Sequence, residues 1–152
     1  MSSEILSNVS IFCDLNDSEL LNVEKFFNKR SYPKGSMIIL EEEFGDTIFI
    51  VAKGTIKITR VNDEGKEVIL ALMGKYEIFG EMSVIDGEAR SANALAQESC
   101  ELLTMKSNDF LALLKNNFKV SYALMSQLAK RIRKSDLHIE ALSLSDAEHR
   151  IG

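Results

Sequence analysis

The sequence predicts an α+β fold: an antiparallel β-sandwich or roll preceded by helices and followed by a long helix of dimerisation type. Three observations predict it. Seven of the eight glycines fall at positions 35, 45, 54, 65, 74, 80 and 87 and punctuate a series of short β-prone segments. Strands of this length and spacing belong to antiparallel sandwiches and rolls rather than to a parallel α/β sheet. The N-terminal region carries a helix-start signal, and the C-terminal third returns to a helical period with a heptad seam.

The elements follow in order. In LNDSELLNVEKFF, Asn16 is placed as an N-cap with Glu19 three residues on, a capping-box start. Leu20, Leu21, Val23, Phe26 and Phe27 then supply an apolar face. Pro33, the only proline, sits in SYPKGS and suits a turn entering the first strand. The strand candidates are SMIILEEE, TIFIVA, TIKITRV and EVILALM, with Ile56, Ile58 and Val61 close to period two, and CELLTM near 100–105 closes the region. Glu64-Gly65 and Asp86-Gly87 carry turn chemistry. Ser107 is a candidate cap for FLALLKNNF. A longer helix is predicted from about Lys119 to Ala141. On it Met125, Leu128, Ile132, Ser135, Ile139 and Leu142 recur at spacings of 3, 4, 3, 4 and 3, a seam of a and d positions. Its flanks are charged (Lys130, Arg131, Arg133, Lys134, Asp136, Glu140), which favours a parallel homodimer over a helix packed only on its own domain. Ser135 interrupts the apolar seam: it either sets register or bonds something polar placed against the helix.

Composition narrows the function. The 152 residues suffice for one domain with a real core, or one domain with an appendage. The net charge of −5 speaks against a general affinity for nucleic acid. No run of 18 apolar residues is present, and the start MSSEILSNVS lacks the layout of a signal peptide, so a cytoplasmic location is expected. Cys13 and Cys100 stand far apart and are expected as two small buried apolar residues. They cannot supply the close-spaced ligand pairs of a zinc site or an iron–sulfur cluster. The only histidines, His138 and His149, fall in the C-terminal helical part, so no imidazole is available elsewhere for metal binding or base catalysis. No metal, no haem and no enzymatic activity are expected.

The chemistry concentrates in FGEMSVIDGEARSANALA, residues 79–96. Between Lys75 and Lys106 the only basic residue is Arg90, while Glu77, Glu81, Asp86, Glu88, Glu98 and Glu101 share the interval. A short helix can begin at Glu81, with free backbone N–H groups for an anion and Gly80 permitting close approach to the backbone. Arg90 adds a planar two-pronged donor and Ser91 a hydroxyl. A carboxylate at Glu81 repels phosphate but accepts well from a ribose hydroxyl, as acids do in dinucleotide sites. Gly80, Glu81, Arg90 and Ser91 together suit a phosphate fused to a sugar with a free 2′-OH. Taken alone, Arg90 would more simply be a surface ion pair with Glu88 or Asp86.

These residues carry a resemblance. Phe79-Gly80-Glu81, then Arg90-Ser91 and the alternating Ala92, Ala94 and Ala96, in a glycine-punctuated roll followed by a long helix, are similar to the phosphate-binding cassette of cyclic-nucleotide-binding domains. More narrowly, the chain resembles the effector domain of the Crp–Fnr family of bacterial transcription regulators. The resemblance implies a jelly-roll-like, double-stranded β-roll over residues 1–115, a dimerisation helix over 116–143, and the start of a DNA-binding domain over 144–152. It implies a cyclic nucleotide as effector, with Ser91, rather than a threonine, leaning toward cAMP over cGMP. Phe79, Gly80, Glu81, Met82, Arg90, Ser91 and Ala92 would form the cassette. Strand residues around Ile58 to Val61 and Ala71-Leu72 would wall the pocket. Ser135 occupies the place where the family reads the base, and Arg131, one turn earlier, approaches the phosphate or the base. Asp136 stands where catabolite-activator-like members carry a serine that reaches the other subunit's ligand, so the cross-subunit contact is altered here. In SLSDAEHRIG, Ser145 and Glu148 form a second capping box, where the family's helix-turn-helix domain begins. DNA contact is therefore expected only through a helix-turn-helix domain that these residues do not supply.

Two other contexts compete with a transcription regulator. A regulatory module of a kinase or channel would more commonly show Arg-Ala than Arg90-Ser91. A pocket tuned to another effector, or to none, keeps the same fold. A cupin-type enzyme would need histidines on the strands, and none occurs between residues 1 and 137.

Overall fold

A computed structural model describes residues 2–151, with side-chain environments for residues 4–134. Two four-stranded antiparallel sheets face each other, ordered β1-β8-β3-β6 and β2-β7-β4-β5. The strands are β1 (Asn28–Tyr32), β2 (Met37–Ile39), β3 (Thr47–Lys53), β4 (Ile56–Val61), β5 (Glu67–Met73), β6 (Ile78–Phe79), β7 (Asn93–Ala96) and β8 (Cys100–Lys106). Helices α1 (Ser2–Ser7) and α2 (Asp17–Glu24) precede the sheets, α3 (Glu81–Asp86) interrupts them, and α4 (Ser107–Asn116) and α5 (Phe118–Ile151) follow. This is the jelly-roll-like α+β architecture expected of the sequence.

The apolar runs of β3 and β8 explain the layering. Successive strand residues point to opposite faces. In β3, Ile48, Ile50 and Ala52 join the core under the helices, while Phe49 and Val51 point into the roll. In β8, Leu103 and Met105 take the helix side, and Cys100 and Leu102 the roll side. Both strands are therefore buried on both faces, and both read as nearly unbroken apolar segments. The helix-side core is completed by Leu6, Ile11, Phe12, Leu20, Val23, Phe110, Val120 and Leu124.

The cap at Asn16 forms as expected: its side chain accepts from the Glu19 N–H at 2.8 Å, and Glu19 accepts from the Asn16 N–H at 3.1 Å. Lys119 on α5 reaches Glu19 at 2.9 Å and ties the last helix to α2. Of the predicted face of α2, Leu20 and Val23 are buried, whereas Leu21 and Phe26 are exposed. The Glu64-Gly65 turn joins β4 to β5, with the Asn62 side chain accepting from the Glu64 and Lys66 N–H groups.

Several expectations need correction. Pro33 follows the first strand rather than entering it, because the polar segment NKRSY forms β1. Ser107 is the first residue of α4 and not its cap; Lys106 holds the cap position without a side-chain bond. Asp86-Gly87 forms its turn at the end of α3, with Gly87 left-handed at φ 73° and its N–H on the Ser83 carbonyl. Cys13 is exposed and only Cys100 is buried. Helix α5 extends to Ile151, past the predicted end near Ala141, so Ser145 lies within a helix and opens none. Among the described residues, no helix is long and apolar enough to cross a membrane.

Candidate functional site

Gly80 caps α3 in a left-handed conformation, φ 83° and ψ 3°. A Cβ there would stand 2.8 Å from Arg90 Nη1, so glycine is required both by the backbone angle and by the guanidinium beside it. The turn places Glu81 at the first position of α3, 3% exposed, with Arg90 arriving from the segment before β7, 8% exposed. Two opposite charges are thus held almost out of water on either side of one glycine.

Arg90 is fixed by carbonyls. Its Nη1 donates to the Gly80 carbonyl at 2.6 Å and its Nη2 to the Thr47 carbonyl at 2.7 Å. The backbone around it is clasped by the acidic loop after β2: the Glu42 N–H donates to the Arg90 carbonyl at 2.9 Å, and the Arg90 N–H to the Glu43 carbonyl at 2.7 Å. Gly45 completes the cradle, for a Cβ at that position would lie 2.1 Å from Arg90 Cζ. Burial pushes the guanidinium's pKa down, and the charges of Asp46 and Glu81 pull it back up. An arginine starts so high that it stays charged at neutral pH. Phe49 and Phe79 stack below at 5.0 Å between centroids.

These groups open onto a cavity of about 380 Å³, within the range of small-molecule sites. Every cassette residue expected from the sequence lines it: Phe79, Gly80, Glu81, Met82, Arg90, Ser91 and Ala92, together with Arg131 from α5. Arg131 Nη1 stands 3.3 Å from Glu81 Oε1, which connects the last helix to the cavity. Of the expected strand walls only Ile58 belongs to the lining. Val61 and Leu72 are exposed: β5 is the edge strand of its sheet, and Val61 stands next to the β4–β5 turn. Ser135 and Asp136 lie outside the residues whose side chains are described, as do Ile139 and Leu142 of the seam.

Sequence reasoning missed Ile39, Met73, Asn93 and Ser83, which also line the cavity. Asn93 and Ser83 carried a signal, since both sit inside the cassette stretch as polar residues among apolar ones. Gly45 carried none, since its role depends on a guanidinium distant in sequence.

Comparisons with known proteins agree on the family. The family model described as cyclic nucleotide-binding domain matches residues 29–117. The chain is 37% identical over 141 residues to the cyclic AMP receptor protein of Thermus thermophilus, covering 93% of this chain and 65% of that relative's length. Among solved structures, the Thermus thermophilus catabolite activator protein superposes with a TM-score of 0.81 at 37% identity, over 88% of this chain and 63% of that one. The N-terminal domain of a transcriptional regulator from Streptomyces coelicolor A3(2) gives 0.73 at 27% identity, over 89% and 94% of the two chains.

Proposed function

The chain belongs to the cyclic nucleotide-binding domain family, and from that premise we propose that it is a cAMP-sensing, dimerising domain of a Crp–Fnr-type transcription regulator. The observation that carries this reading is the pairing of Glu81 and Arg90, both nearly fully buried, on one cavity and across a left-handed glycine. A buried cation and a buried anion kept apart, and not bonded to each other, suit a ligand that offers a phosphate to one and a hydroxyl to the other.

In the proposed complex the cyclic phosphate takes the remaining Arg90 donors and the Ser91 hydroxyl. The ribose 2′-OH donates to Glu81. Arg131, now on Glu81, shifts toward the phosphate or base, and Ser135 on the following turn of α5 reads the base. No metal, haem or iron–sulfur cluster takes part, and the role is sensing rather than catalysis. Ser91 favours cAMP over cGMP. The chain spans 65% of the length of the Thermus relative, so control of DNA is part of the proposal and rests on that likeness. Binding would bias the arrangement of two α5 helices and so the spacing of two recognition helices.

Calorimetric titration with cAMP and cGMP tests the reading. Wild type should bind cAMP more tightly than cGMP. Arg90→Ala should weaken cAMP by about 30- to several-thousand-fold, as truncating one side of a buried charge contact does. Absence of binding by either nucleotide would overturn the proposal.

A further inference from the structure

The roll side of the β1-β8-β3-β6 sheet changes character along its length. In β8, Cys100 and Leu102 pack in the roll's apolar core, and strand alternation puts Thr104 and Lys106 on that same side. In β3 the same side carries Phe49, Val51 and, by alternation, Thr47. The register pairs Asn28 with Thr104 and Arg30 with Leu102, so these two side chains of β1 face the same way. The inner face of two packed sheets is ordinarily apolar. Here it turns polar and charged, toward the acidic loop that follows the three-residue strand β2.

A second cavity, of about 280 Å³, lies at this end of the roll. Its lining includes the buried residues Ile39, Phe49, Arg90 and Thr104. Arg30 and Lys106 line it too, both exposed to solvent. Among the described residues neither forms an ion pair. Lys29, on the opposite face of β1, is by contrast paired with Glu101 at 3.3 Å. Two acids share the lining. Asp46 accepts from the Thr47 hydroxyl at 3.0 Å, and its charge acts on Arg90. That leaves Glu43 alone to answer two free cations. In a chain of net charge −5 this is a local excess of positive charge, set on a concave surface with a polar inward face, where an anion is drawn and held. We infer that this cavity is a second ligand site, for a small hydrophilic dianion bearing carboxylate or phosphate groups, with Arg30 and Lys106 as its binding residues. Neither residue lines the first cavity, although Arg90 and Ile39 line both. The inference therefore stands apart from the nucleotide reading.

Calorimetry with succinate and with glycerol 3-phosphate tests it, at low salt and at about 0.15 M. Wild type should bind at least one of the two, more weakly at the higher salt. Succinate alone would identify a carboxylate site, and glycerol 3-phosphate alone a phosphate site. Arg30→Gln and Lys106→Gln should each weaken that binding about 5- to 10-fold, as loss of one charged hydrogen bond at an exposed rim does. The double variant should abolish it. Melting temperatures should stay near wild type, because both side chains are exposed. Lys29→Gln removes the same charge from the other face of β1 and should bind as wild type does. Amide shifts on titration should be largest around Asn28 and Thr104. Absence of binding by both probes at low salt overturns the inference, as does wild-type affinity in the double variant. An equal loss in Lys29→Gln would reduce the effect to general surface charge and overturn the site.

Discussion

A single arginine does two jobs at this site, and glycines make both possible. Arg90 braces the turn through the Gly80 and Thr47 carbonyls and keeps its remaining donors for the cavity. Gly45 lets the guanidinium lie against the loop after β2, since a Cβ there would stand 2.1 Å from Cζ. Gly45→Ala is therefore expected to push the guanidinium off its carbonyls at no cost in backbone angle. Nucleotide affinity should drop by about tenfold or more by calorimetry, and the melting temperature should fall as the Gly80 and Thr47 carbonyls lose their donor; unchanged affinity would refute the cradle. Glu81 has a different signature. If it accepts from the ribose, wild type should prefer cAMP to 2′-deoxy-cAMP by about 10- to 150-fold, and Glu81→Gln should bring the two within a few-fold. Equal discrimination by both proteins would remove Glu81 from the ribose. Arg90 was legible in the sequence as the lone base among acids, and Glu81 through its place between Gly80 and the start of a short helix. Gly45 was not, because a missing Cβ has no meaning until the chain brings an arginine against it.

Elements buried on both faces announce themselves, and edges do not. TIFIVA and CELLTM were read as strands because β3 and β8 each serve two cores. NKRSY escaped notice because β1 is an edge strand paired only with β8, and four of its five residues are exposed. EVILALM was legible as a strand, yet it sits at the edge of the other sheet with Val68, Ile69, Leu70 and Leu72 in solvent. Its apolar character gave the strand and misled about which face lines the cavity. Capping, by contrast, is local chemistry, so the Asn16–Glu19 box was readable and is present. It also carries a pH dependence. Glu19 is held below the usual carboxylate range, first by its backbone bond at Asn16 and then by Lys119. A carboxylate depressed in the folded state adds stability above its ordinary pKa, and that contribution is lost as pH falls through the lowered value. The protection factors of the Asn16 and Glu19 amides, meaning exchange rates corrected for their intrinsic pH dependence, should therefore fall as the pH drops below about 4.5, and Glu19→Gln should flatten the change. Equal pH profiles for the two proteins would show that the cap does not respond to the charge. Asn16→Ala should cost about 1 kcal/mol by denaturant unfolding.

At the scale of the molecule, α5 is divided between two tasks. Val120 and Leu124 are buried against the N-terminal helices and the β3–β8 layer, and Leu128 packs partly on the same core. Met125 and Ile132 of the seam face outward, Ile132 being 61% exposed. A helix docked only on its own domain has no reason to keep apolar residues on its far side at heptad spacing, and a second copy of α5 would cover them. Arg131 sits beside Ile132 and reaches Glu81 at 3.3 Å, so the outward seam and the cavity are joined through adjacent residues of one rigid element. In the proposed dimer, a ligand that moves Arg131 would bias the packing at Ile132, and dimer packing would in turn bias the cavity, since coupling between two sites is reciprocal. Ile132→Glu should accordingly shift sedimentation toward the monomer with little change in melting temperature at dilute concentration, because the side chain lies outside the domain core. The same variant should change cAMP affinity, although Ile132 does not line the cavity. A wild-type chain that stays monomeric at every concentration would refute the seam. A dimer lost in Ile132→Glu with affinity untouched would keep the seam but sever it from the ligand, leaving Arg131 as a wall of the pocket and not its link to the partner.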